Sequence, residues 1–162
     1  MNSLVRSRYL RARGTSLVEV LIAGAITAML LGAVAAATYA SSAAIEMNDQ
    51  FFRSSQAARV AVNRIVTEAR GCQSGVVDST TITLTNSVGQ KMTYSLDAQT
   101  HCLNLTLESL PTPETHTLAR NVSSVSFTTN GASISVTLVV SVGTNQVTLC
   151  GSAMPRRNIQ YN

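Results

Sequence analysis

Arg13-Gly14-Thr15-Ser16-Leu17-Val18-Glu19 sets how the first third of the chain is read, because it places a glycine, and five residues later a carboxylate, at the mouth of a long apolar run. Every residue from 20 to 39 is apolar, Gly or Thr, and no charged residue stands between Glu19 and Glu46. About twenty such residues suffice to cross a bilayer as a helix. A charged carboxylate at mid-bilayer costs ~2.5–3.5 kcal/mol. Glu19, at the entrance to that span, therefore calls for a partner, which marks it as a functional candidate.

On the upstream side lie Arg6, Arg8, Arg11 and Arg13. Arginines before a span hold that end in the cytoplasm, so the rest of the chain is expected outside it. Downstream, Phe51, Ser55, Ala58, Val62, Ile65 and Ala69 recur at spacings of four and three. This is the stripe of an amphipathic helix that buries one face. Arg53, Arg59, Asn63, Arg64 and Glu68 occupy its other faces, and Gly71 is a natural helix stop. Past Cys72 the composition turns to Thr, Ser and Val in alternation, which indicates strands. Residues 81–86, 91–97 and 102–107 read as a three-strand meander, and 121–128, 132–142 and 146–150 as a second antiparallel group. Between them Leu110-Pro111-Thr112-Pro113 reads as a loop. The expected fold class is α+β: a long N-terminal helix, membrane-spanning in its first half and amphipathic in its second, packed on a C-terminal antiparallel β-sheet.

The net charge of +4 suggests a basic protein, but four of the twelve Lys and Arg precede Thr15. The remaining eight balance the eight Asp and Glu, so residues 15–162 are formally neutral. Nucleic-acid binding needs a basic stripe to displace phosphate counterions, and none is present in the pattern. No nucleic acid is expected as a partner.

The 13–39 segment resembles the processing and assembly signal of type IV pilins and type II secretion pseudopilins. The resemblance implies a leader peptide at 1–14, cut by a prepilin peptidase between Gly14 and Thr15, with N-methylation of Thr15. It implies that Glu19 meets the N-terminal ammonium of a neighbouring subunit during assembly, which removes the penalty of an unpaired buried ion. Residues 15–40 then form the transmembrane and assembly half of the helix, and 41–162 a pilin-like domain outside the inner (cytoplasmic) membrane. The implied partners are the prepilin peptidase, other pilin or pseudopilin subunits, the inner-membrane assembly platform and membrane lipid. Thr15 stands where the family usually has a bulky apolar residue. No proline precedes Pro111, which leans toward a minor pilin. Residues 118–127, 134–138 and Pro155-Arg156-Arg157-Asn158 look like minor pilins of the W type and the J-type pseudopilin. Two plainer readings of the N-terminus remain: a signal peptide cut after residues 35–37 or 38–40, or an uncleaved anchor. Against the first, the run exceeds the 7–15 apolar residues of a signal core.

Cys72, Cys102 and Cys150 make an odd count, so one pair plus a free thiol is expected in an oxidising compartment. In the expected meander Cys72 precedes the first strand and Cys102 opens the third, which puts both at one end of the sheet and makes Cys72–Cys102 the candidate disulfide. Cys150 reads as a buried strand residue. His101 and His116 read as solvated loop residues, since neither has a second ligand at metal spacing. Asp78, Asp97, Glu108 and Glu114 are scattered and form no calcium loop. Asn104 and Asn121 head glycosylation tripeptides within expected strand pairs. No catalytic constellation, metal site or cofactor is expected, and the chain reads as a structural subunit rather than an enzyme. The alternative reading is a membrane-anchored or secreted β-domain acting as an adhesin or binding module.

Overall fold

The computed structural model describes residues 16–108, 112–130 and 133–154. Helix α1 (Leu17–Gly71) is followed by strands β1 (Ser74–Val77), β2 (Thr81–Thr85), β3 (Lys91–Asp97), β4 (Cys102–Glu108), β5 (Glu114–Ala119), β6 (Val122–Asn130), β7 (Ser133–Val142) and β8 (Asn145–Ala153). The fold is α+β, one long helix packed on antiparallel sheet. The chain divides between Ala44 and Ile45 into two compact units. The first holds residues 17–44 of α1; the second holds the rest of the helix and the strands.

In the second unit β1 to β5 form a five-stranded sheet in sequence order, and β6 to β8 a three-stranded one. Every neighbouring pair is antiparallel. Strand β7 alternates strictly between half-buried and buried, with Ile134, Val136, Leu138, Val140 and Val142 inward, as the two-residue period of a strand with one core face requires. Ile82, Leu84, Tyr94, Leu103 and Leu105 do the same for the first sheet. Ala58, Ala61, Val62, Ile65 and Ala69 of α1 join both sets in a single core. The small residues of this stripe let the helix lie close to the sheets. The helix ends at Gly71 as its sequence indicates.

The two sheets meet at one corner. The Val122 N–H donates to the His101 carbonyl (3.0 Å) and the Phe127 N–H to that of Ser79 (3.0 Å). Thus β6 runs past the β3–β4 turn and then the β1–β2 turn, at the same end of the first sheet. Asp97 braces the β3–β4 turn: the Thr100 hydroxyl and the Gln99 and Thr100 N–H groups all donate to its carboxylate. Foremost the Thr100 hydroxyl, then the Gln99 amide, hold its pKa below the usual carboxylate value.

Threonine abundance has a specific use on the outer face. Thr83 and Thr93 hydroxyls lie 3.0 Å apart and those of Thr106 and Thr115 3.2 Å, while Thr93 pairs with Thr106 in register. Four adjacent strands thus carry one row of β-branched side chains that also hydrogen-bond across strands.

At Gly151 the helix lies close against the sheet. A Cβ there would lie 2.8 Å from both Val62 Cγ1 and Val66 Cγ2. Gly151→Val is therefore expected to overpack the core and cost ~1–3 kcal/mol, read as a lower melting temperature of the full chain in detergent by circular dichroism.

Two strands were not expected from the sequence. Residues 74–77 form β1, and residues 114–119, including His116, form β5 rather than a loop. The first sheet is accordingly five-stranded, not a three-strand meander.

Candidate functional site

Residues 17–44 of α1 are exposed throughout. Leu17, Met29 and Leu31 show 76%, 76% and 66% of their surface, so these side chains have no apolar cover among the described residues. A contiguous apolar surface of this extent marks a membrane or protein contact. The helix is long and apolar enough to cross a membrane. Its hydroxyls are adapted to such surroundings. Thr27 donates to the Ala23 carbonyl (2.8 Å), Thr38 to that of Val34 (2.9 Å) and Ser42 to that of Thr38 (3.0 Å). These three hydroxyls therefore fold back on the helix, as hydroxyl groups must where water is absent.

Glu19 lies in the first turn, where the Glu19 and Val20 N–H groups reach the Ser16 carbonyl at 2.9 and 3.2 Å. A helix N-terminus favours a carboxylate by ~0.3–1 kcal/mol at the surface. That is less than the cost of a charge at mid-bilayer, so the dipole alone does not offset burial. No ion pair to Glu19 occurs among the described residues. The candidate cleavage and methylation residues, Gly14 and Thr15, lie outside the described residues, as does the Pro155–Asn158 stretch.

The expected Cys72–Cys102 disulfide is not formed; all three cysteines are free. The reason is β1. Ser74 pairs with Thr85, which pairs with Lys91, which faces Glu108, whereas Cys102 faces Asp97 at the other end of the sheet. An extra strand reverses the chain once more and carries Cys72 to the opposite end. Six residues of strand span ~20 Å, against the ~4.4–6.8 Å that a disulfide bridges between Cα atoms. Cys72 is buried, with its thiol 3.1 Å from the Ala69 carbonyl, and burial pushes its pKa up. Cys150 is exposed on β8, not buried as the sequence suggested. A maleimide is therefore expected to label Cys150 quickly and Cys72 only after denaturation, read by peptide mass analysis.

His101 is exposed, with φ at 51° in the turn before β4, and His116 lies 3.6 Å from Glu114 on β5. Among the described residues no three His, Cys, Asp or Glu are grouped to hold a metal ion. Asn104 accepts the Thr117 hydroxyl at 3.1 Å, and the Asn121 amide donates to Ser54 at 2.8 Å.

The arrangement that sequence reading missed is a polar clasp between helix and sheet. Tyr94 is fully buried and its hydroxyl donates to the Glu68 carboxylate. Arg64 Nε meets the same carboxylate at 2.9 Å, one helical turn away. Its signal was present: Glu68 precedes the buried Ala69 and stands four residues after Arg64, while Tyr94 occupies an inward position of an alternating strand. The pairing of the two needed the register. Comparison with protein-family models, with curated proteins and with solved structures returns no match.

Proposed function

We propose that the chain is a minor pilin or pseudopilin, a structural subunit of a type IV pilus or type II secretion pseudopilus. The observation that carries this reading is the exposed apolar helix of residues 17–44 with a single carboxylate, Glu19, in its first turn. In the precursor this helix anchors the protein once across the inner membrane, N-terminus inside. A prepilin peptidase cuts after Gly14 and the new N-terminus at Thr15 is methylated. The assembly platform then moves residues 20–39 from lipid into a fibre core of like helices. There an ammonium on a neighbouring subunit neutralises Glu19. The helix-on-sheet unit stays outside and contacts neighbouring subunits.

This pathway gives Glu19 a function that a passive anchor does not. An anchor gains nothing from a carboxylate beside its span, whereas ordered assembly gains a register mark: only a subunit in the right axial position pairs its charge, and a mis-set one leaves an ion uncompensated. The test is the intact mass of the protein from its native membrane together with its N-terminal peptide. The expected chain begins at Thr15 and carries one additional methyl group. A chain beginning near residues 38–41 or at Met1, in a cell with an active prepilin peptidase, would overturn the proposal.

A further inference from the structure

Strand β5 ends the five-stranded sheet, so one of its edges carries no neighbouring strand among the described residues. Between β5 and α1 lies a cavity of ≈ 310 Å³, walled by Arg53, Ser54 and Ala57 of the helix and by residues 117–120. Its floor is apolar, with Ala119 2% exposed and Ala57 and Leu118 half-buried. Both of its ionisable lining residues are arginines.

Three features shape this groove. The register of β5 on β4 slips between Leu103–Ala119 and Asn104–Thr117, leaving Leu118 as the extra residue of a bulge. Such bulges bend an edge strand and re-aim its side chains. Just beyond the strand, Asn121 adopts φ 59° and donates its amide to Ser54, which is 8% exposed. This bond ties the helix to the strand's end and so sets the spacing of Arg53 and Arg120. Finally, Arg120 makes no ion pair among the described residues, and Arg53 meets only Asp49, through Nε at 2.8 Å, with both side chains largely exposed. Exposed ion pairs of this kind contribute little, and the pair leaves the terminal amino groups of Arg53 open.

We propose that this groove docks an acidic segment of another polypeptide, with a carboxylate held by Arg53 and Arg120 and an adjoining apolar side chain seated on Ala57 and Leu118. Arginine suits the task because its planar fork matches a carboxylate with two parallel hydrogen bonds. Charge complementarity chooses the partner: two arginines line a pocket whose walls supply no carboxylate. Nucleic acid fits poorly, since two arginines on a domain of formal charge +1 displace few counterions. The proposal uses the second unit alone and stands apart from the fibre reading.

The test is selection of a random heptapeptide library against the full chain in detergent micelles. Enriched peptides are expected to carry Asp or Glu, and the R53Q/R120Q variant is expected to bind them roughly tenfold or more weakly. Asn or Gln in place of the peptide's acid should lose as much. Asp49→Ala, which removes the competing carboxylate, should tighten binding, a gain that misfolding cannot produce. Selection without acidic enrichment, or equal binding by R53Q/R120Q, overturns the proposal. So does saturable binding of inorganic phosphate in the absence of any acidic peptide, which would make the groove a small-anion site.

Discussion

Glu19→Ala is expected to leave a folded, membrane-inserted and processed protein that no longer enters fibres. The second unit begins at Ile45 and its core draws on residues from Ala57 onward, so its melting temperature should not move. Insertion should improve slightly, because the span loses its charged residue. Assembly should fail, because the neighbour's ammonium would be buried without a counter-charge. Removing one member of a buried ion pair costs ~3–5 kcal/mol, which corresponds to a fall in incorporation of roughly a hundredfold or more at ~1.4 kcal/mol per decade. Glu19→Gln tests charge separately from shape and should fail nearly as completely. The measurement is the ratio of subunit in sheared fibres to subunit in the membrane, by quantitative immunoblot. Glu19→Ala entering fibres at the normal ratio would remove the central residue of the proposed function.

The helix and most strands were legible because each carries its own period. The alternation of residues 133–142 and the four-and-three spacing from Ala58 to Ala69 are local patterns, and local patterns survive without tertiary information. Strands β1 and β5 were not legible for opposite reasons. β1 is four residues, one of them Gly75, too short for alternation to declare itself. β5 lies at a sheet edge with its first four residues exposed, so it has no apolar period to display, and Pro111 and Pro113 just before it read as a loop. The disulfide expectation failed through the first of these omissions, since one uncounted reversal inverts the end of the sheet at which every earlier residue lies. The candidate site divides in the same way. Glu19 was visible because a charge beside an apolar run is a local anomaly. The groove at Arg53 and Arg120, and the clasp at Tyr94, join residues distant in sequence through a register and a bulge that no local pattern encodes.

Tyr94→Ala is expected to cost the second unit ~3–5 kcal/mol, the range for deleting a large core aromatic, and so to consume much of the stability of a domain this size. Tyr94 is completely buried, and its hydroxyl is the sheet's only hydrogen bond to the Glu68 carboxylate among the described residues. Tyr94→Phe separates packing from polarity: the ring remains, Glu68 keeps Arg64, and the expected loss is ~1–3 kcal/mol. The clasp also predicts a dependence on pH. Burial, followed by the Glu68 hydrogen bond and the Glu68 charge, pushes the Tyr94 phenol well above its ordinary value, with Arg64 opposing. The unfolded phenol loses its proton near pH 10 while the folded one keeps it, so the folded state binds more protons above that pH. Stability from this group is therefore full below pH 10 and falls as pH rises beyond it, by at most ~1.4 kcal/mol per unit. Urea midpoints of wild type and Tyr94→Phe, measured at pH 7 and pH 11, give the check. The gap between them should narrow at pH 11, because only the wild type has a phenol at position 94 to lose. Parallel decline of the two proteins would show that the phenol titrates as freely in the folded unit as in the unfolded chain, and the clasp would not close as described.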